Sequence, residues 1–191
     1  MPSRQCQAAY RTAMGVLHQI SSAFHFRDRY TFLNLYKTYV RPHVEFASPA
    51  WCPWNTNDVE LLEKVQVKAI GMISGLKGEN YESKLKELKI QSLEARRLRF
   101  DLIETYKTVH GLNQLNKNKF FDFVAEKHLR NTRLAEDPLN LRLKNTNTEI
   151  RKQFWSQRVV SPWNNLPMEI KHAGSIDSFK QLYDAHVAAS D

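Results

Sequence analysis

A chain of 191 residues, 42% hydrophobic and 11% aromatic, carries enough apolar material for one large or two small cores and is not a disordered tail. Its formal charge of +8 makes a polyanion the first partner to consider, nucleic acid ahead of an anionic membrane surface. Its apolar runs are far shorter than the roughly 20 residues that span a bilayer, so no membrane partner is expected.

The N-terminal stretch lacks the continuous apolar core of a signal peptide. Cys6 and Cys52 are too few for a disulfide framework, and the scattered histidines form no zinc-ligand spacing. Two free thiols in a reducing compartment, cytoplasmic or nuclear, are the expectation.

In chain order, periodicity predicts helices separated by placed breakers. The first covers residues 7–23. Asp28 caps a second over 29–40, which Pro42 is expected to kink or end. Asn57 and Glu60 have capping-box spacing and open a third, whose apolar stripe is Leu61, Leu62, Val65, Ala69, Met72, Ile73 and Leu76, before Gly75 and Gly78 stop it. These three suit a compact antiparallel bundle. A short helix follows over 81–88. Ser92 then caps a long one ending at His110–Gly111, with Ala95, Leu98, Leu102, Thr105 and Val109 as its core face. Residues 127–147 lose helical period; alternating Leu139, Leu141 and Leu143 read as a short strand or extended loop. Helix resumes over 148–163, and Ser175 caps a last helix carrying Phe179, Leu182 and Tyr183. The class is mainly α.

Three helical faces combine positive charge with an aromatic residue, the pairing that single strands and hybrids favour. Lys37 and Arg41 share a side with Tyr30. Arg96 and Lys107 share one with Phe100 and Ile103, which equally suits packing against a neighbouring helix. Arg151, Trp155 and Arg158 stack at helical spacing, with Trp155 either a base platform or a structural residue under two arginine stems. Lys64 and Lys68 lie outside the third helix's stripe and either touch phosphate or form an ordinary solvated face. Arg97, spaced from Glu94 and Asp101 by helical intervals, reads as a surface ion-pair residue, and Trp51, Trp54 and Trp163 as packing residues. His43, Glu45 and Ser48 are close in sequence but lack the strand-turn-helix context of a nucleophile elbow. No catalytic or metal-ligating set stands out, and no small-molecule substrate is expected.

Residues 35–54 (LYKTYVRPHVEFASPAWCPW) with 61–73 (LLEKVQVKAIGMI), residues 92–112 (SLEARRLRFDLIETYKTVHGL), and residues 150–167 (IRKQFWSQRVVSPWNNLP) with the IDSFKQLYDAH tail supply three segments in order. Together they resemble the C-terminal region of jockey-like, LINE-type non-LTR retrotransposon reverse transcriptases. The resemblance implies a thumb-like three-helix bundle over 1–78 and a helical C-terminal extension over 79–191 with one short extended segment. It implies RNA, DNA and their hybrid as partners, together with a polymerase palm. The family's palm carries an aromatic-x-Asp-Asp motif that binds magnesium. This sequence has no Asp-Asp pair, so catalysis and its cofactor are expected in the missing palm and not in this chain. Val67 stands where relatives often carry a basic residue, which thins the basic face of the third helix.

Overall fold

The computed structural model describes residues 2–76, 78–124 and 137–190. Helix makes up 68% of the structure, beside one two-stranded sheet, so the fold is mainly α as the periodicity predicts. Among the described residues no helix is long and apolar enough to cross a membrane. The chain divides into two compact units, Met1–Arg97 and Leu98–Asp191.

In the first unit, α1 (Pro2–Ala23) buries Cys6, Ala9, Ala13 and Leu17, the three-and-four spacing of a single apolar face. Next, α2 (Arg29–Leu35) starts where the Asp28 carboxylate accepts a hydrogen bond from the Thr31 N–H at 2.9 Å. It runs directly into a π-helical turn, Tyr36–Val40, and on into α3 (Arg41–Glu45). Pro42 therefore neither ends the helix nor leaves it α-helical. A proline has no N–H to give and its ring clashes with the carbonyl four residues back; a widened turn, in which Arg41 N–H donates to Tyr36 O, absorbs both defects. The short α4 (Ser48–Trp51) leads to α5 (Thr56–Gly71).

Helices α1 and α5 pack side by side and run parallel. Ser3 Oγ donates to Asp58 Oδ2 at 2.7 Å near their starts, and Ser74 N–H donates to Arg27 O at 2.9 Å beyond their ends. The cap of α5 is Asn55, whose side chain accepts from Asn57 N–H, and not the expected Asn57. The helix stops at Gly71, ahead of Gly75, which with φ of 91° takes the left-handed conformation the exit requires. Leu62, Val65, Ala69, Ile73 and Leu76 are buried as the stripe predicts, and Gln66 and Ile70 join them.

Gln66 decides where the first unit ends. Its carboxamide is wholly buried, and a buried amide must find partners. Gln66 Oε1 accepts from Tyr36 OH at 2.8 Å; Nε2 donates to Tyr81 OH at 2.9 Å and to Gln91 O at 3.0 Å. Tyr81 OH in turn donates to Glu63 Oε1, which also accepts from Leu93 N–H at 3.0 Å. The network binds α6 (Tyr81–Leu88) and the first turn of α7 (Leu93–Val109) to α5, and Leu88 and Leu93 are buried in the same core. The first compact unit consequently runs to Arg97 and does not part at residue 78 as expected. Arg97 itself is 3% exposed, with no hydrogen-bond partner for either terminal nitrogen among the described residues, in contrast to the expected surface pairing.

The second unit takes the rest of α7, then α8 (Lys117–Phe120), β1 (Asp122–Phe123), β2 (Leu141–Arg142), α9 (Glu149–Lys152), α10 (Trp155–Arg158), α11 (Val160–Asn164), α12 (Met168–Lys171) and α13 (Ile176–Ser190). The strands pair antiparallel, Asp122 opposite Arg142 and Phe123 opposite Leu141. Of the segment expected to be a short strand or extended loop, residues 127–136 lie outside the described residues; the remainder holds the short strand β2, with Leu141 buried and Leu143 exposed. Trp163 is fully buried with its indole N–H on Leu139 O at 2.9 Å, beside stacked Phe179 and Tyr183. Leu98, expected in the core, is exposed, as are Leu182 on α13 and Trp54 in the first unit; Ile103 is buried.

Two measurements probe these polar anchors. Gln66→Leu leaves Tyr36 OH and Gln91 O without their partner, and chemical denaturation is expected to read a loss of about 1–3 kcal/mol. In the second unit Asp137 holds Lys171 Nζ at 2.6 Å and His172 Nε2 at 3.0 Å. Burial raises the pKa of Asp137, but the bonds from Lys171 and His172 outweigh it and hold the carboxyl below its ordinary value. A depressed carboxyl stabilises the fold above the unfolded-state value, about 3.9, and that contribution is lost as pH falls through the lower folded value. Melting temperature should therefore drop on acidification below about pH 4, and Asp137→Asn should flatten that limb.

Candidate nucleic-acid interface

Two of the basic residues picked out in the sequence converge on one carboxylate, and a third lies beside them. Arg96 grips Glu45 with its fork, Nε on Oε1 and Nη2 on Oε2 at 3.0 Å. Arg41, one turn before Glu45, places Nε 3.6 Å from Oε2. The side chains of Arg41, Arg96 and Glu45 are 17%, 20% and 11% exposed, so the group is largely but not wholly shielded from solvent. Lys37 lies one helical turn before Arg41. Partial burial, then the charges of Arg41 and Arg96, push its ammonium below the ordinary value. Arg41 is lowered by the same causes in the same order, burial and then Arg96, with Glu45 opposing. Lys37 has no ion-pair partner among the described residues; two arginines share the carboxylate, and the lysine adds a third positive charge beside them.

Local folding explains the convergence. Tyr36, pinned by Gln66, fixes the π turn that carries Lys37 and leads to Arg41 and Glu45. Gln91 and Leu93, pinned by Gln66 and Glu63, fix the first turn of α7, which carries Arg96. The sequence put Lys37 and Arg41 on one face and Arg96 on another; the fold brings them together. Both oxygens of Glu45 are engaged by arginines, and the hydroxyl of Ser48, three residues on, is buried.

The remaining sequence-named residues are dispersed. Lys64 and Lys68 are exposed on α5, without ion-pair partners among the described residues. Lys107 pairs with Glu104 at 3.3 Å. Arg151 is exposed, its guanidinium 5.1 Å from the Phe154 ring.

Arg151, Trp155 and Arg158 do not form the expected face. The helix breaks between α9 and α10, where Phe154 turns extended with ψ of 141°. Trp155 is 7% exposed, wedged against Phe121 and Phe120 at ring distances of 5.1 and 5.7 Å, and its indole N–H donates to Asp101 O at 3.2 Å. Arg158 forks onto buried Asp101, Nε on Oδ2 at 2.8 Å and Nη2 on Oδ1 at 2.9 Å. These two residues hold α10 to α7 within the second unit.

One cationic feature escaped the sequence reading. Opposite its buried face, α1 exposes Arg4, Ala8, Arg11, Gly15 and His18, and its 22 residues include no aspartate or glutamate. Neither arginine has an ion-pair partner among the described residues. The signal was present in the seven-residue recurrence Arg4, Arg11, His18, which an apolar-stripe search passes over. Aromatic side chains lie open nearby in sequence, Tyr30 and Phe46 each 78% exposed. No protein-family model, curated protein or solved structure matches the chain.

If Trp155 and Arg158 serve the fold, Trp155→Ala should cost about 3–5 kcal/mol of stability. Arg158→Ala, which strands a buried carboxylate, should cost a similar roughly 3–5 kcal/mol. Denaturant melts measure both, and a loss below about 1 kcal/mol would contradict the packing described.

Proposed function

We propose that the chain is the thumb and post-thumb part of a non-LTR retrotransposon RNA-directed DNA polymerase, gripping template RNA and primer DNA during target-primed reverse transcription and catalysing nothing itself. The observation that carries this reading is the Arg41–Arg96 pair on Glu45, with Lys37 close to both arginines. It is assembled from residues 35–54 and 92–112, two of the three segments that carry the resemblance. Arginine forks and a lysine at a shielded but open site suit phosphate oxygens, which position a duplex without reading its sequence. Hybrid duplexes are held mainly through backbone and shape, so this chemistry is sufficient for a grip. Chemistry stays with the magnesium-binding carboxylates of the palm, which the chain complements and does not replace.

A second surface fits the same assignment. Phe26, Tyr30 and Phe46 are each 78% exposed in the first unit, an apolar display suited to a protein neighbour, for which the polymerase palm is the proposed partner.

Binding of the full chain to a labelled RNA/DNA hybrid tests the reading. Affinity should be indifferent to sequence and fall steeply as salt rises, with a log–log slope near −0.9 for each phosphate neutralised in a B-type duplex. Binding that ignores salt, or no binding at low salt, would remove the assignment. The same preparation should incorporate no nucleotide with magnesium or manganese on any primer-template.

A further inference from the structure

The carboxylate at the centre of the cluster poses a physical question. A surface selected only for positive charge gains nothing from Glu45, which consumes the fork of Arg96 and part of Arg41. A partly buried trio of cations with no anion among them would, however, repel itself and drive the free protein apart. One carboxylate holds the two arginines together beside Lys37, and a carboxylate and a phosphodiester present the arginine fork with the same pair of anionic oxygens.

We propose that Lys37, Arg41 and Arg96 form a single phosphodiester subsite, and that Glu45 is its internal occupant, standing in for the phosphate until nucleic acid displaces it. This rests on the nucleic-acid reading above and adds to it a built-in competitor. Arg96 trades its Glu45 contacts for the phosphate oxygens. Arg41, held only at 3.6 Å, and Lys37, without an ion-pair partner among the described residues, supply further donors. The cost of displacing Glu45 sets the affinity of the site. A weak, reversible grip suits a surface along which a duplex must advance, and the competitor keeps it weak.

The sign of one substitution separates an occupant from a mere brace. Glu45→Gln keeps size and hydrogen-bonding capacity but removes the competing charge. Hybrid binding should tighten by about five- to tenfold at 0.1 M salt, and the log–log slope should steepen by roughly 0.7–0.9, the gain of one neutralised phosphate. Lys37→Gln should do the reverse, making the slope shallower by a similar roughly 0.7–0.9. Circular dichroism and melting on each variant confirm the fold. If Glu45→Gln does not fold, Glu45→Asp takes its place: the shorter carboxylate reaches the forks less well and should tighten binding part-way. Should either Glu45 variant, folded, bind no tighter than the unaltered chain, Glu45 is a positioning residue and the inference fails. An unchanged slope in Lys37→Gln overturns the subsite. Both failures leave salt-dependent binding by the unaltered chain intact, whereas loss of that binding would overturn the proposed function itself.

Discussion

The buried carboxamide of Gln66 is the constraint on which the first unit rests. An amide sealed from water must spend both its donors and its acceptor inside the protein, and each partner it recruits fixes a different stretch of chain. Tyr36 fixes the π turn, Tyr81 fixes α6, and Gln91 fixes the approach to α7. Lys37 is the neighbour of Tyr36, and Arg96 follows Leu93 by three residues. The charged site is thus positioned through the backbone by a neutral one. Apolar packing alone tolerates small slips of register; a network of directional bonds does not.

The two units use the same arginine–carboxylate fork for different ends, and burial makes the difference. Arg158 on Asp101 is deep, the acid side chain only 5% exposed, and an indole N–H closes over the same residue's carbonyl. Nothing in solution can compete for that carboxylate, so the pair acts as a fastener between α10 and α7. Arg96 on Glu45 stands nearer the surface, with a second arginine on the same anion and a lysine close to both arginines. There the cations outnumber the anion, the surplus is open to water, and exchange for another anion is feasible. Similar fork geometry stands in unequal surroundings, because burial and the local charge count differ.

Much of the fold could be read from the residues. Asp28, Asn80 and Ser92 sit where helix starts were expected or follow directly from them, and each accepts its bond from the third residue on. The apolar stripes of the first three helices mostly point inward. Periodicity failed where something other than apolar spacing governs the backbone. Gln66 is polar, so a search for apolar contacts cannot see that α6 and the start of α7 belong to the first unit. Residues 148–163 have helical spacing throughout, but Phe154 leaves the helix, and that rotates Arg151 away from Trp155 and Arg158. At the cluster, residue type was legible and company was not: Lys37, Arg41 and Arg96 were recognisable as cations, while Glu45, the partner of both arginines, was noticed only for its closeness in sequence to His43 and Ser48.

Pro42 shows why the site lies where it does along the chain. An unbroken α-helix through residues 29–45 would bring the proline ring against the carbonyl of Thr38, at about 3 kcal/mol or more. The π turn over Tyr36–Val40 relieves that clash by inserting, in effect, one residue of extra circumference. The added rotation changes which residues after the turn share a face with those before it. It lets Tyr36, Val40 and Val44 all remain buried while Lys37, Arg41 and Glu45 stay together at the margin. A single imino acid therefore sets the register of the buried row and the charged row at once. Shifting the turn by a residue would disturb the packing and the charge cluster together, which ties the stability of the first unit to the geometry of its cationic site.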